Sequence, residues 1–241
     1  MNGTVWWGIL AALGCALIGN AAALIKYSAV QGAPQIELSQ PLDSMRRLFS
    51  NRTWSIGFAM ATLGFLFNAL ALKLAPLSLV KPVLAGGIVL LALMAELMLG
   101  IRPGKRQMLA LALAGGGLVL FALTAKHTSN HGRAHGLVWF ELVAGVIVFA
   151  VLGARRRSAS WLGLAAGVLM GGADVAVKQM GMSGFSDWFE GPAFFALLGA
   201  LAALLISAKA LQLGEAVGTV ALIGVASNLV STLAGYLVFH D

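Results

Sequence analysis

The chain has 241 residues, 59% hydrophobic and only 10% charged, with a formal net charge of +7 and a mean hydropathy of +0.89. Soluble domains carry about 25% charged residues, so an ordinary water-soluble design is excluded. Lys and Arg lie in short stretches between apolar runs, where they orient a membrane chain, and this distribution argues against nucleic acid as the partner of a basic protein.

Eight stretches are long enough to cross about 30 Å of hydrocarbon at about 1.5 Å per residue. They lie near Val5 to Ile25, Trp54 to Leu74, Leu77 to Leu99, Gln107 to Ala125, Gly136 to Ala154, Trp161 to Met180, Pro192 to Leu213 and Ala216 to Val238. Each is apolar all round and none alternates, which predicts helices and not a barrel. The expected fold class is all-α, a polytopic membrane protein of about eight transmembrane helices.

The opening Met1-Asn-Gly-Thr-Val-Trp-Trp has no basic n-region, so the first stretch reads as a retained helix and not a signal peptide. Cys15 is the single cysteine, which rules out an intrachain disulfide and leaves a small packing residue. Asn20 sits at membrane depth in this helix. The connection from Lys26 to Thr53 is about 28 residues, long for a structureless loop. Within it Pro41-Leu-Asp-Ser-Met-Arg-Arg-Leu-Phe fits either a solvated loop or a short interfacial helix, with arginines at the headgroups and Leu48 and Phe49 in the acyl boundary. The second span carries Asn68. The third opens Lys81-Pro82-Val-Leu-Ala-Gly86-Gly87, where a proline removes a helix hydrogen bond and makes either a kink or a break with carbonyls freed as ligands. Glu96, near the inner end of that span, is close enough to water to snorkel.

Gly115-Gly116-Gly117 in the fourth span is a packing signal. His127, His131 and His135 follow in one turn-like, cationic loop that reads as a polar loop more readily than as a metal site. Glu141 enters the fifth span about 8 Å from its outer end. In the sixth, Gly163, Gly167 and Gly171 stand four apart, as helices do where backbones approach closely in lipid, which also leaves room for a homodimer. Asp174 lies roughly 20 Å from Trp161, with Lys178 one turn on to form an ion pair. Lys209 stands near the end of the seventh span, and Asn228 lies in the eighth.

Loop charges set the topology. Lys26, Arg46, Arg47, Arg52, Arg102, Lys105, Arg106, Arg155, Arg156, Arg157 and Lys209 fall on one side, eleven in all, against five on the other. The positive-inside rule puts the eleven in the cytoplasm and the N-terminus outside. Leu17-Ile-Gly19-Asn20-Ala21 leading to Lys26 then pairs with Leu169-Met-Gly171-Gly-Ala173-Asp174 leading to Lys178, five spans later and so inverted. This predicts two inverted membrane repeats, residues 1–135 (four helices and the basic 26–53 loop) and 136–241. Polar groups at membrane depth face cavities or the bundle interior. Glu141, Asp174 and Asn68, all in the outer half, would make an oxygen-lined vestibule for a hydrated cation, since Mg²⁺ uses few carboxylates and keeps several waters.

The run Phe67-Asn68-Ala69-Leu70-Ala-Leu-Lys-Leu-Ala75-Pro76-Leu-Ser78-Leu79-Val80-Lys81-Pro82-Val-Leu-Ala85-Gly86 resembles the drug/metabolite transporter (DMT, EamA-like) superfamily, and within it the NIPA-like magnesium transporter branch. Gly171-Gly-Ala-Asp174-Val-Ala-Val-Lys178 is similar to that branch's sixth helix, and Ala226-Ser227-Asn228 to Phe239 to its eighth. Two departures stand out. Leu99-Gly100-Ile101-Arg102 lacks the acid of the branch's Leu-Gly-Glu-Arg, and the chain stops at Phe239-His240-Asp241 where relatives continue, so the second repeat reads as C-terminally truncated. The resemblance implies transport of Mg²⁺ or a related divalent cation by alternating access, with Asp174, Glu141, Asn68 and Asn20 on the pathway, Asp174 and Glu141 as metal ligands, and Asn228, Lys178 and Pro82 beside them.

The alternatives are an exporter of a small organic metabolite and a non-transporting scaffold or half-module. An enzyme is not expected, because His-Glu-x-x-His, Gly-x-Ser-x-Gly and phosphate-loop motifs are absent from the sequence and an intramembrane aspartyl dyad lacks its second aspartate. No cofactor is expected. The expected surroundings are the lipid bilayer of the plasma membrane and a small solute.

Overall fold

The computed structural model describes residues 3–74, 77–101, 158–183 and 191–239, with residues 104–105, 108–109, 112–113, 116–117 and 120 between them. Seven helices are present among these residues, and no strand: α1 (Gly3–Gln31), α2 (Pro41–Ser50), α3 (Arg52–Leu74), α4 (Leu77–Leu99), α5 (Ala159–Ser183), α6 (Gly191–Leu213) and α7 (Ala216–Phe239). Six of them coincide with the first, second, third, sixth, seventh and eighth apolar stretches. The fifth stretch, the histidine loop and Glu141 lie outside the described residues, and the described positions of the fourth from Met108 to Leu120 are helical.

Among the described residues one helical segment, Val5–Gln31, is long and apolar enough to cross a membrane unaided. Shorter apolar segments occur at Val89–Leu99, Ala159–Ala173, Leu197–Leu213 and Ala216–Val230. The first helix exposes Trp6, Trp7, Leu10, Leu13 and Leu17 on one side, a stripe that water would not tolerate and acyl chains would.

The chain divides into two compact units. The first comprises Met1–Pro34, Met45–Ala125 and Ala216–Gly218, the second Gln35–Ser44, Lys126–Glu215 and Thr219–Asp241. In the first unit α3 runs antiparallel to α1. Gly14 faces Phe67, Gly19 faces Gly64 and Ala22 faces Gly57. A Cβ on Gly64 would lie 3.5 Å from the Gly19 nitrogen, so two backbones touch there. Helix α4 runs parallel to α1: Val83 and Leu84 pack on the buried Ala11, Ala12 and Ala71, and a Cβ on Gly87 would lie 3.1 Å from that of Ala16. Small residues form this core because close backbone approach drives association where lipid already solvates large apolar side chains.

The second unit has the same internal plan. Helix α6 runs antiparallel to α5 over Leu162, Ala165, Ala166, Leu169, Ala203, Ile206 and Ala210, while α7 runs parallel to α5 along the glycine stripe. A Cβ on Gly167 would stand 2.5 Å from the Ile223 carbonyl oxygen, and one on Gly171 2.6 Å from that of Ser227. Gly163 is easier, its nearest neighbour being Leu222 at 3.5 Å. The stripe therefore serves packing between α5 and α7. The stretch Gln35–Ser44 also belongs to this unit: Leu38 packs on the α5–α6 core and the Ile36 N–H donates to Gln212 Oε1 at 2.9 Å.

The long connection is largely ordered by local hydrogen bonds. Pro41 opens α2, where its missing N–H costs nothing, and the buried Ser44 hydroxyl donates to the Glu37 carbonyl while accepting the Glu37 N–H. Of the two apolar residues expected in the acyl boundary, Leu48 is instead turned into the protein at 4% exposure, whereas Phe49 stays exposed. Asn51 then caps α3, its Oδ1 accepting the Thr53 and Trp54 N–H groups at 2.9 and 3.3 Å and its Nδ2 donating to the Ala29 carbonyl of α1. Gly100 ends α4 at φ 66°, a left-handed cap whose N–H donates to the Glu96 carbonyl at 3.0 Å.

Candidate functional site

Polar side chains placed in apolar helices are the natural candidates, because each must be paired or face a cavity. In the first unit Asn20 meets that condition by reaching across a helix interface. Its Nδ2 donates to the Gly87 carbonyl at 2.6 Å, which joins α1 to α4 one residue after Gly86 and five after Pro82. Gly87 brings the two helices close here: a Cβ there would lie 3.1 Å from that of Ala16 and 3.7 Å from the Asn20 Nδ2.

Asn68 behaves differently. It stands one turn beyond Gly64, on the side of α3 that faces α1, and its Oδ1 is buried without a hydrogen-bond partner. An unpaired buried carbonyl oxygen costs about 1–3 kcal/mol. Such a group is either a structural expense or an acceptor waiting for a cation or a donor. The described contacts do not join Asn68 to Asn20; they share a unit and the α1 interface only.

Pro82 lies within α4, which is helical without a break from Leu77 to Leu99. A proline there supplies no N–H to the Ser78 carbonyl one turn back. Asp174 and Lys178 are one turn apart in the continuous helix α5. Asn228, on α7, is exposed. Glu141 lies outside the described residues. Among the described residues no three His, Cys, Asp or Glu side chains come together as a metal-binding group.

Lys26 adds a feature that reading the chain as spans did not bring out. It continues α1 beyond the apolar run and lays its aliphatic stem over Gly57 of α3, where a Cβ would lie 2.8 Å from Lys26 Cγ. The signal was present as Gly57 and Gly64 seven apart, a spacing that puts both on one helix face.

No protein-family model and no solved structure matches this chain. It is similar to a probable magnesium transporter, NIPA9, of Arabidopsis thaliana, with 29% identity over 174 residues, covering 63% of this chain and 50% of that protein. The chain thus spans about half the length of the curated relative it matches. A helical chain of this composition, with an exposed apolar helix of spanning length and similarity to a membrane transporter, is a membrane protein.

Proposed function

We propose that this chain carries a small solute across the plasma membrane by alternating access, that the solute is Mg²⁺ or a related divalent cation, and that eight spans in two inverted repeats form the path. The observation that carries this reading is the similarity to a probable magnesium transporter over 63% of the chain. The shared internal plan of the two units supports the repeat: in each, the first long helix is antiparallel to the second and parallel to the third. Opposed loop charges supply the inversion.

In this reading Asp174 and Glu141 provide the negative charge, and the amide oxygens of Asn68 and Asn20 and the carbonyl freed by Pro82 complete an oxygen-lined path. A divalent cation that keeps most of its waters needs only one or two carboxylates. Few fixed charges also leave the path easy to empty, as transport demands. Lys178 one turn from Asp174 offers a competing partner whose displacement accompanies ion entry.

The test is Mg²⁺ flux into proteoliposomes holding the full chain, read with an entrapped Mg²⁺-sensitive dye. Flux well above protein-free vesicles is expected, at least tenfold lower in Asp174→Asn. If Asp174 and Lys178 form only a structural pair, Asp174→Asn combined with Lys178→Met retains flux. A second reading, export of a small organic molecule, draws on how few acidic residues the apolar spans carry. Export of an organic cation with no Mg²⁺ movement would select it.

A further inference from the structure

Helix α2 and the start of α3 present a surface that the transport reading does not use. Arg46 and Phe49, three residues apart, share an exposed side of α2, with the exposed Leu42 one turn before Arg46 on the same helix. Arg47 and Arg52 are exposed as well, and the acid within this helix is Asp43. Phe49 stacks edge-on against Phe58 of α3, their ring centroids 5.1 Å apart at 79°. Phe58 in turn shares its face of α3 with the exposed Phe65, seven residues on, and the exposed Leu66 lies next to that face. The three exposed arginines therefore lie at the junction of α2 and α3, at the end of α3 from which this apolar surface starts.

The location is held firmly. Asn51 ties the α2–α3 junction to the Ala29 carbonyl at the end of α1, and Ser50 and Ser55 close the turn on the carbonyls of Arg46 and Phe49. The apolar segment Val5–Gln31 finishes at this same level. A bilayer crossed by α1 places its headgroups beside α2, so Phe49 and Phe58 meet the upper acyl chains and the arginines meet the phosphates.

We propose that Arg46, Arg47 and Arg52, exposed around the α2–α3 junction that also presents Phe49 and Phe58, form a binding surface for anionic phospholipid headgroups in the leaflet where α1 ends. A planar guanidinium suits a phosphate with two parallel N–H donors, and aromatic rings are favoured at the boundary of headgroup and chain. Three arginines against one acid select anionic over zwitterionic lipid. The surface rests on the membrane reading of the chain and not on which solute it carries.

The full chain, purified in mild detergent with a 1:1 mixture of phosphatidylglycerol and phosphatidylcholine (roughly equal amounts), is examined by native mass spectrometry for retained lipid. Retention favouring phosphatidylglycerol is expected, by about fivefold per arginine engaged. Arg46→Gln with Arg47→Gln and Arg52→Gln should remove the preference at unchanged helix content by circular dichroism, while Lys105→Gln keeps it. Raising ionic strength should weaken the preference of the unaltered chain, which tests the surface without any variant. Equal retention of the two lipids by the unaltered chain, or an unchanged preference in the triple variant, overturns the proposal. Displacement of phosphatidylglycerol by inorganic phosphate alone also overturns it, since it would mark a site for soluble anions.

Discussion

Replacing Asn68 by leucine separates two roles for one side chain. If its buried, unpaired Oδ1 serves only packing, Asn68→Leu removes a desolvation cost and leaves the protein as stable or more so, by about 1 kcal/mol. If that oxygen faces the solute, stability holds but Mg²⁺ flux falls several-fold; thermal unfolding in detergent and dye flux, measured together, distinguish these. Asn20→Ala should cost both properties, because its donor binds α4 to α1 at 2.6 Å and its loss leaves Gly87 without that partner. Asn20 and Asn68 were legible as candidates from their residue type in apolar runs. Their different states were not, because a hydrogen bond between residues 67 apart in sequence depends on which helix lies opposite. Leu48 teaches the same point: hydrophobicity announced that it would leave water, while packing decided that it entered the protein and that Phe49 stayed exposed.

At the scale of helices, apolar runs fixed the elements closely. The stretch Leu77 to Leu99 is α4 itself, and Ala216 to Val238 differs from α7 by one residue. The largest error is at the end of α1, which runs to Gln31 and not Ile25. Lys26 looked like a terminus because it is charged, but its stem packs over Gly57 and the helix continues beneath it. Register was harder to read. The paired motif aligns Gly19 with Gly171, yet Gly19 meets α3 at Gly64 whereas Gly171 meets α7 at Ser227. The matching contacts are Ala16 on Gly87 and Gly167 on Ala226, with the small residues exchanged between helices. One residue of slip turns a helix face by about 100°, so a motif can repeat while its surroundings do not. The glycine stripe gives a graded prediction. Gly163→Ala should be tolerated, with ordinary contact at 3.5 Å, whereas Gly167→Ala drives a methyl to within 2.5 Å of a carbonyl oxygen and should cost on the order of 1–3 kcal/mol. Unfolding of both variants in detergent is the measurement, and equal loss would mean that α7 does not pack there.

For the whole molecule, the decisive prediction concerns sidedness. With Cys15 replaced by alanine, single cysteines at Ser50 and Ser158 should react with a membrane-impermeant thiol reagent from one face, and those at Ala75 and Ser183 from the other. Ser50 and Ser158 on opposite faces would refute the eight-span inverted arrangement, since four spans must separate them. The amino-acid sequence alone determined that this protein is helical and belongs in a membrane, because composition and apolar run length act locally and need no knowledge of neighbours. Only the tertiary structure decided that α1 lies between an antiparallel α3 and a parallel α4, that Gly167 and Gly171 are held by α7, and that the Asn20 amide donates across helices while the Asn68 Oδ1 is buried without a partner. Those outcomes depend on side chains far apart in the chain meeting at sub-ångström tolerance, and small residues that permit such meetings look alike in sequence whichever helix they will touch.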